Sequence, residues 1–155
     1  MQHSKGKIVA CYSESIQHAN KYASFSKELL QQPIAQGKWS IVEIIGHLIA
    51  WDEFVINKRV PFLINGKSLP ASPSVEKINK HAAQTALNKP PHEVLEEFTS
   101  IRSRLIEQIE AIREDCWVKE FKINDSLLTW TSYFLGLIQH DEHHFKQCAD
   151  FLNKK

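Results

Sequence analysis

Apolar residues recur at intervals of three and four positions along four long stretches of this sequence, and the residues that interrupt helices cluster between those stretches. That interval places apolar side chains on one face of an α-helix, whereas a half-buried strand needs strict alternation. Only five glycines and six prolines occur in 155 residues, with no sustained alternation, internal repeat or low-complexity tract. A chain of this length can form one domain with its own core. We therefore predict a single all-α domain over residues 1–155, folded as a helical bundle.

Residues that start and stop helices set the predicted boundaries. Ser40 is followed three positions later by Glu43, the spacing of a capping box, and Pro61 should end or kink the helix that begins there. Four long helices are predicted at about residues 7–22, 40–60, 92–113 and 129–152. Shorter pieces are predicted at about 24–30 (a helical turn), 75–87 (a short helix) and 116–127 (a connector with a brief extended piece). The second and third long helices are therefore joined by a long crossover.

Composition excludes several classes of protein. The formal net charge is +1, and lysine and arginine are interspersed with aspartate and glutamate, so the basic face that nucleic-acid binding requires is not expected. No apolar run approaches the ~18 residues of a membrane span, and the first residues lack an apolar signal core. The three cysteines are widely separated and form no CxxC pair, which favours reduced thiols. We expect a cytoplasmic protein with no membrane and no nucleic-acid partner.

A histidine-rich segment in the fourth helix is the strongest chemical signal. His140 and His144 are four positions apart, so they share one helix face. With Trp130 as the reference, the 100° step places His144 about 40° and His140 about 80° from the centre of the apolar stripe. His143 falls about 140° away and should point to solvent. The first two imidazoles therefore border the buried face and can bind one cation together.

The second helix contributes a further candidate ligand. His47 shares an apolar face with Glu43, and both side chains need polar partners if that face is buried. If this helix packs beside the fourth, three imidazoles meet and form a metal site. The alternatives are that His47 is a core histidine bonded to a carbonyl and that the other pair occurs by chance. Asp141 could be a salt-bridge partner, a carboxylate bonded to a metal ligand, or a packing residue.

Three segments together resemble one known family. They are residues 37–48 (GKWSIVEIIGHL), residues 93–106 with the pieces EVLEEF and RSRLI, and residues 139–147 (QHDEHHFKQ). In this order they resemble the DinB/YfiT-like superfamily over nearly the whole chain. The resemblance implies a four-helix bundle with up-down-down-up topology, frequent homodimers, and one divalent metal held by three histidines, here His47, His140 and His144. Gln147 matches the polar position that follows the last ligand.

The resemblance and the residues together give the functional hypotheses. The family includes thiol-dependent transferases or isomerases and proteins described as metal-dependent hydrolases, so we expect a hydrolase or a thiol-dependent S-transferase with a small-molecule substrate, such as a low-molecular-weight thiol. Glu43 and Gln147 are candidates to hydrogen-bond a ligand or act as general base. Zinc is the expected metal, and nickel, iron or manganese also suit nitrogen ligands. The alternatives are a non-catalytic metal-binding or stress-related binding protein and a helical interaction module with an inert core.

Overall fold

The computed structural model describes residues 2–155, with side chains from residue 4 onwards. Its helices are α1 (Gln2–Tyr22), α2 (Lys27–Leu30), α3 (Ile41–Lys58), α4 (Val60–Ile64), α5 (Val75–Leu87), α6 (Pro91–Glu110) and α7 (Trp130–Asn153). A short 3₁₀ turn covers Glu114–Cys116, and two strands, β1 (Glu120–Ile123) and β2 (Ser126–Thr129), precede α7. The four long helices α1, α3, α6 and α7 form the predicted bundle, and the all-α prediction is confirmed.

The ends of α3 follow local chemistry. The predicted capping box is present at its start, where the Ser40 backbone N–H donates to Glu43 Oε1 at 2.9 Å and the Ser40 hydroxyl accepts from the Glu43 backbone N–H. The helix ends at Lys58, and α4 begins at Val60 with Pro61 in its first turn. Proline has no backbone N–H to continue the hydrogen-bond ladder of α3, so the predicted break is confirmed.

Long-range contacts fix the direction of α6 and α7 relative to α1. The Lys5 ammonium donates to the Ile112 carbonyl at 3.0 Å, while Thr99 donates to Asn20 near the other end of α1. The residue numbers in α1 rise from the first pair to the second while those at and after α6 fall, so α1 and α6 are antiparallel. The rings of His18 and Phe145 are 5.4 Å apart, and Tyr22 lies beside Cys148 one turn further along both helices. Helices α1 and α7 are therefore parallel.

The direction of α3 completes the topology. Ile44 and Gln147 border one cavity, whereas Asp52, two turns later in α3, is joined through Arg102 to Asp141, which precedes Gln147 in α7. Positions rise along α3 as they fall along α7, so these two helices are antiparallel. The order is up-down-down-up, as the family resemblance implied. The parallel pair α3 and α6 is connected by the long crossover that contains α4 and α5.

One polar layer divides the core into two apolar clusters, and each long helix contributes one residue to it. Arg102 on α6 donates to both oxygens of Asp52 on α3, at 2.7 and 2.9 Å, and to the Ser15 hydroxyl on α1 at 2.9 Å. It also pairs with Asp141 on α7. Arg102 is only 1% exposed. Because four helices must align for these bonds to form, the layer defines their relative heights.

The crossover helix α5 packs unusually close to α3 at Gly46. A Cβ atom at this position would lie 2.5 Å from the Ala86 side chain and 3.1 Å from the Ala82 carbonyl oxygen. Only a residue without a side chain permits this approach. The bounds predicted for α5 agree with the structure, residues 75–87.

The region between α6 and α7 is where the prediction was least complete. The third long helix ends at Glu110 rather than Arg113, and the predicted connector contains an antiparallel hairpin that pairs Glu120 with Thr129 and Ile123 with Ser126. Its two-residue turn places Asn124 at φ 55°, a conformation that asparagine tolerates. Among the described residues, none of the helices combines the length and apolarity needed to cross a bilayer.

Candidate metal centre

The antiparallel packing of α3 and α7 brings the three candidate ligands together. One nitrogen each from His47, His140 and His144 lies within 4.8 Å of the other two. The ring centroid of His47 is 5.5 Å from that of His140 and 4.6 Å from that of His144. The Nε2 atoms of His140 and His144 are 3.2 Å apart. The two helices are thus neighbours, which was the condition for a three-imidazole site.

The backbone of α3 fixes the orientation of His47. Its Nδ1–H donates to the Ile44 carbonyl oxygen one turn earlier in the same helix. That bond is the one expected of a core histidine, and His47 is 1% exposed. With Nδ1 protonated, Nε2 retains a free lone pair. His47 can therefore be both a core histidine bonded to a carbonyl and a metal ligand, since the two roles use different nitrogens.

Gln147 fixes the orientation of the second ring. His144 Nδ1 lies 3.0 Å from Gln147 Oε1, as a donor to that oxygen. The spacing of three places the amide directly over the imidazole on the surface of α7. A hydrogen bond on the far nitrogen of a metal-ligating histidine sets its tautomer and raises its basicity. Gln147 thus hydrogen-bonds a candidate ligand, which is one of the two roles predicted for it.

The surroundings keep these imidazoles in the neutral form. Burial lowers the pKa of His47 to about 3, with a further contribution from His144. Burial also lowers the pKa of His144 to about 4, with His140 contributing, and it lowers the pKa of His140. Neutral imidazole is the form that binds metals. The site therefore presents lone pairs rather than positive charges near neutral pH.

The spacing and donor set fit one divalent cation. Two nitrogens bound to a tetrahedral zinc at about 2.0–2.1 Å lie about 3.3–3.4 Å apart, and the separation of His140 Nε2 and His144 Nε2 is 3.2 Å. Three nitrogen ligands with a remaining open position are typical of catalytic zinc sites, whereas structural sites are closed by a fourth protein ligand. His140 is exposed while His47 is buried, so the cluster is open to solvent on the α7 side.

A cavity of about 340 Å³ adjoins the cluster. Its lining includes Ile34 and Trp39 as apolar walls, Lys38 as a positive charge, and His143 and His144 from α7. The Trp39 ring packs against the buried imidazole of α3, with centroids 4.9 Å apart. His143 is exposed, as predicted, and its side chain also borders this cavity.

Two acidic residues near the cluster bond elsewhere. Glu43 Oε1 accepts both the backbone N–H and the hydroxyl of Ser40, each at 2.9 Å, and within the described part of the chain Glu43 makes no hydrogen bond to an imidazole. The structure thus shows Glu43 in its capping role. Asp141 forms an ion pair with Arg102, which is the first of the three roles considered for it.

The polar layer around Arg102 was not predicted, although the sequence contains a signal for it. Arg102 lies four positions after Phe98 and three before Leu105, within the apolar stripe of α6. Asp52 and Asp141 occupy equivalent buried positions in their helices. Charged residues inside an apolar stripe must pair when buried. Two acids and one base in such positions on three helices predict one network.

The model of the DinB superfamily matches residues 13–148 of this chain. Among solved structures, YfiT from Bacillus subtilis, described as a probable metal-dependent hydrolase with an unusual four-helix bundle topology, is similar with a TM-score of 0.79 and 12% identity, covering 99% of this chain and 89% of YfiT. The colibactin self-resistance protein ClbS, solved in complex with double-stranded DNA, is similar with a TM-score of 0.70 and 17% identity, covering 97% of this chain and 93% of ClbS. No protein with a curated description matches the sequence significantly. Because the sequence identities are only 12% and 17%, these similarities show that the folds are alike and nothing about function.

Proposed function

This chain belongs to the DinB superfamily, and from that premise we propose that it is a divalent-metal-dependent enzyme, a hydrolase of a small-molecule substrate. The observation that carries the proposal is the meeting of three imidazoles, one of which, that of His144, lines an open cavity. We propose zinc as the metal, with nickel, iron or manganese as alternatives that the same nitrogen donors accept. When bound, such a cation keeps its full charge and lowers the pKa of a small nucleophile toward neutrality.

The chain's own residues hold and orient the site. His47 is the rigid ligand, because its ring is buried and its Nδ1 is bonded to Ile44. Gln147 holds the ring of His144. His140 is the exposed ligand on the solvent side. A pre-oriented set of this kind loses little conformational freedom when it binds an ion.

The adjoining cavity is the proposed substrate site. Ile34 and Trp39 provide apolar contact, and Lys38 can pair with an anionic group on the substrate. His143 borders the same cavity, with its ring centroid 5.4 Å from that of His144. His143 lines this cavity, whereas Glu43 is not among its lining residues, so we assign His143 as the proton acceptor for hydrolysis. A small molecule is favoured over nucleic acid because the net charge is +1 and the basic residues are interspersed with acidic ones.

A second candidate function is thiol-dependent S-transfer, and one observation favours it. Among the described residues, no carboxylate hydrogen-bonds to the three imidazoles, since Glu43 caps α3 and Asp141 pairs with Arg102. Hydrolysis therefore depends on His143 as its general base, whereas a low-molecular-weight thiol is acidic enough to act as a thiolate without one.

Metal analysis of histidine variants tests the site. His47→Ala and His144→Ala should lose stoichiometric metal, while His143→Ala should retain it. Equal loss in the His143 variant would show that the ligand set is wrong. The same variants separate ligation from proton transfer, because His143→Ala should keep the metal and lose hydrolytic rate.

A substrate screen tests the reaction. The metal-loaded protein is assayed against esters and amides in one arm, and against low-molecular-weight thiols paired with electrophiles in the other. Turnover in one arm that is abolished in His47→Ala identifies the reaction as hydrolysis or as thiol-dependent S-transfer. Stoichiometric metal with no turnover in either arm would favour the alternative of a non-catalytic metal-binding or stress-related binding protein.

A further inference from the structure

A second polar cavity lies at the far end of α3 from the three imidazoles. Arg59 follows the last residue of α3, twelve positions after His47, which corresponds to about 18 Å along the helix axis. The cavity has a volume of about 340 Å³ and is lined by Arg59, by residues 68–72 of the crossover and by residues 122–124 at the end of β1 and the start of the hairpin turn. Its volume lies at the lower end of the range for small-molecule sites, about 300–1,000 Å³.

The side chain of Arg59 is buried without adequate partners. It is 4% exposed, and its Nε and Nη1 atoms are buried and make no hydrogen bond to any described residue. Nη2 donates to the Ser72 hydroxyl at 3.4 Å, a long bond, and the guanidinium lies 4.6 Å from the centre of the Phe54 ring. A guanidinium stays charged in proteins, and a buried charge without a partner is strongly destabilising.

No negative charge in the described structure compensates Arg59. The ion pairs found among residues 4–155 do not include it, and the described residues that line the cavity include neither aspartate nor glutamate. Tyr133 lies beside Arg59, but burial raises the pKa of Tyr133 despite the arginine, so this group is a neutral phenol. Lys122 adds a second positive charge to the lining. The described lining of the cavity therefore contains two cationic side chains and hydroxyl groups, but no anionic side chain.

We propose that this cavity binds a phosphate group, either as free inorganic phosphate or as part of a small phosphomonoester. The Arg59 guanidinium supplies one positive charge at the cavity wall, and the Lys122 ammonium supplies the second for a dianion. The hydroxyls of Ser68 and Ser72 are additional donors on the crossover side. Arginine recognises phosphate through charge-assisted hydrogen bonds, which are about twice as strong as neutral ones. The bound group would tie the crossover loop to the hairpin.

Calorimetric titration of the metal-loaded, full-length protein tests the proposal. Inorganic phosphate is titrated in one arm and glycerol phosphate in the other, both at constant ionic strength. We expect saturable binding to one site. Arg59→Gln should weaken it by about tenfold or more, since hydrogen bonds between charged groups contribute that much to affinity, and Lys122→Gln should weaken it several-fold.

Two control variants make the result specific. Arg104→Gln removes the same charge from an exposed position on α6 and should leave phosphate affinity unchanged. His140→Ala should also leave it unchanged, which separates this cavity from phosphate bound at the imidazole cluster. Tighter binding of glycerol phosphate than of inorganic phosphate would support a phosphomonoester, and equal binding would support the free ion.

Three results would overturn the proposal. They are no saturable binding of either probe, the same affinity in Arg59→Gln as in the parent protein, and loss of binding in His140→Ala. If Arg59→Gln does not fold, Lys122→Gln decides, because a folded Lys122→Gln variant with unchanged phosphate affinity would contradict the assignment of both cations to one site.

Discussion

Replacing Arg102 by methionine should destabilise the protein strongly, because it leaves two buried carboxylates without their shared partner. Arg102 is 1% exposed, and Asp52 and Asp141 are 6% and 7% exposed. Removing one member of a buried ion pair costs about 3–5 kcal/mol of unfolding free energy. For a chain of this size, each kcal/mol lowers the melting temperature by about 2–4 °C. The expected decrease is therefore about 6–20 °C.

The same variant should change how stability depends on pH. Burial raises the pKa of Asp52 and Asp141, and Arg102 opposes that rise. Without the guanidinium, the folded-state pKa moves further above the unfolded value of about 3.9. A carboxyl group with a raised pKa is destabilising at high pH and is relieved as protons bind. The difference in stability between variant and parent should thus shrink as the pH falls from 7 to 5.

Urea unfolding at both pH values measures these effects. Arg104→Met is the matched control, since it makes the same change at an exposed position of α6 and should alter stability by less than about 0.5 kcal/mol. The triple variant Arg102→Met, Asp52→Asn, Asp141→Asn should recover much of the loss, because no buried charge remains. A loss below about 1 kcal/mol in Arg102→Met, or a loss independent of pH, would contradict the role of this layer.

Further variants probe packing, capping and the histidine cluster. Gly46→Ala should destabilise by about 1–3 kcal/mol, since the new methyl group would lie 2.5 Å from a side chain of α5, whereas Gly136→Ala, with no atom within 4 Å of its new methyl, should be neutral or stabilising in thermal unfolding. Glu43→Gln should leave stability nearly unchanged, because glutamine also serves at this position of a capping box, and should retain its metal; reduced turnover at unchanged stability would favour a catalytic role. Gln147→Ala should weaken metal affinity about 10–100-fold in competition with a chelator, and unchanged affinity would exclude its orienting role. In metal-free protein, the pKa of His47 is lowered to about 3, so between pH 6.5 and 5 only the unfolded chain binds a proton at this residue. The free energy of unfolding should therefore fall by about 2 kcal/mol over that range. His47→Asn should remove this part of the pH dependence.

Helix positions could be predicted from the sequence because their causes are local. The Ser40–Glu43 capping box needs only residues three positions apart, and Pro61 interrupts α3 wherever that helix packs. The crossover helix α5 was placed at its observed bounds for the same reason. The hairpin before α7 was reduced to a brief extended piece, because its four-residue strands offer too short a pattern to distinguish from a loop.

The candidate site was only partly predictable. His140 and His144 had to lie together, since one turn of helix separates them. Glu43 showed the opposite case, because its sequence context suited both a helix cap and a general base. The hydrogen bonds from Ser40 to Oε1 show the capping role, and the general-base role stays a prediction.

The amino-acid sequence alone determined where the helices begin and end, which faces they bury, and that two imidazoles share one of those faces. Only the tertiary structure decided that His47 joins them, that Arg102 gathers acids from two other helices, and that Arg59 is left buried without an anion. Periodicity and capping act over a few residues, whereas these contacts join positions about 40 to 100 apart. Which helices become neighbours depends on the packing of all four at once, and no single segment encodes it.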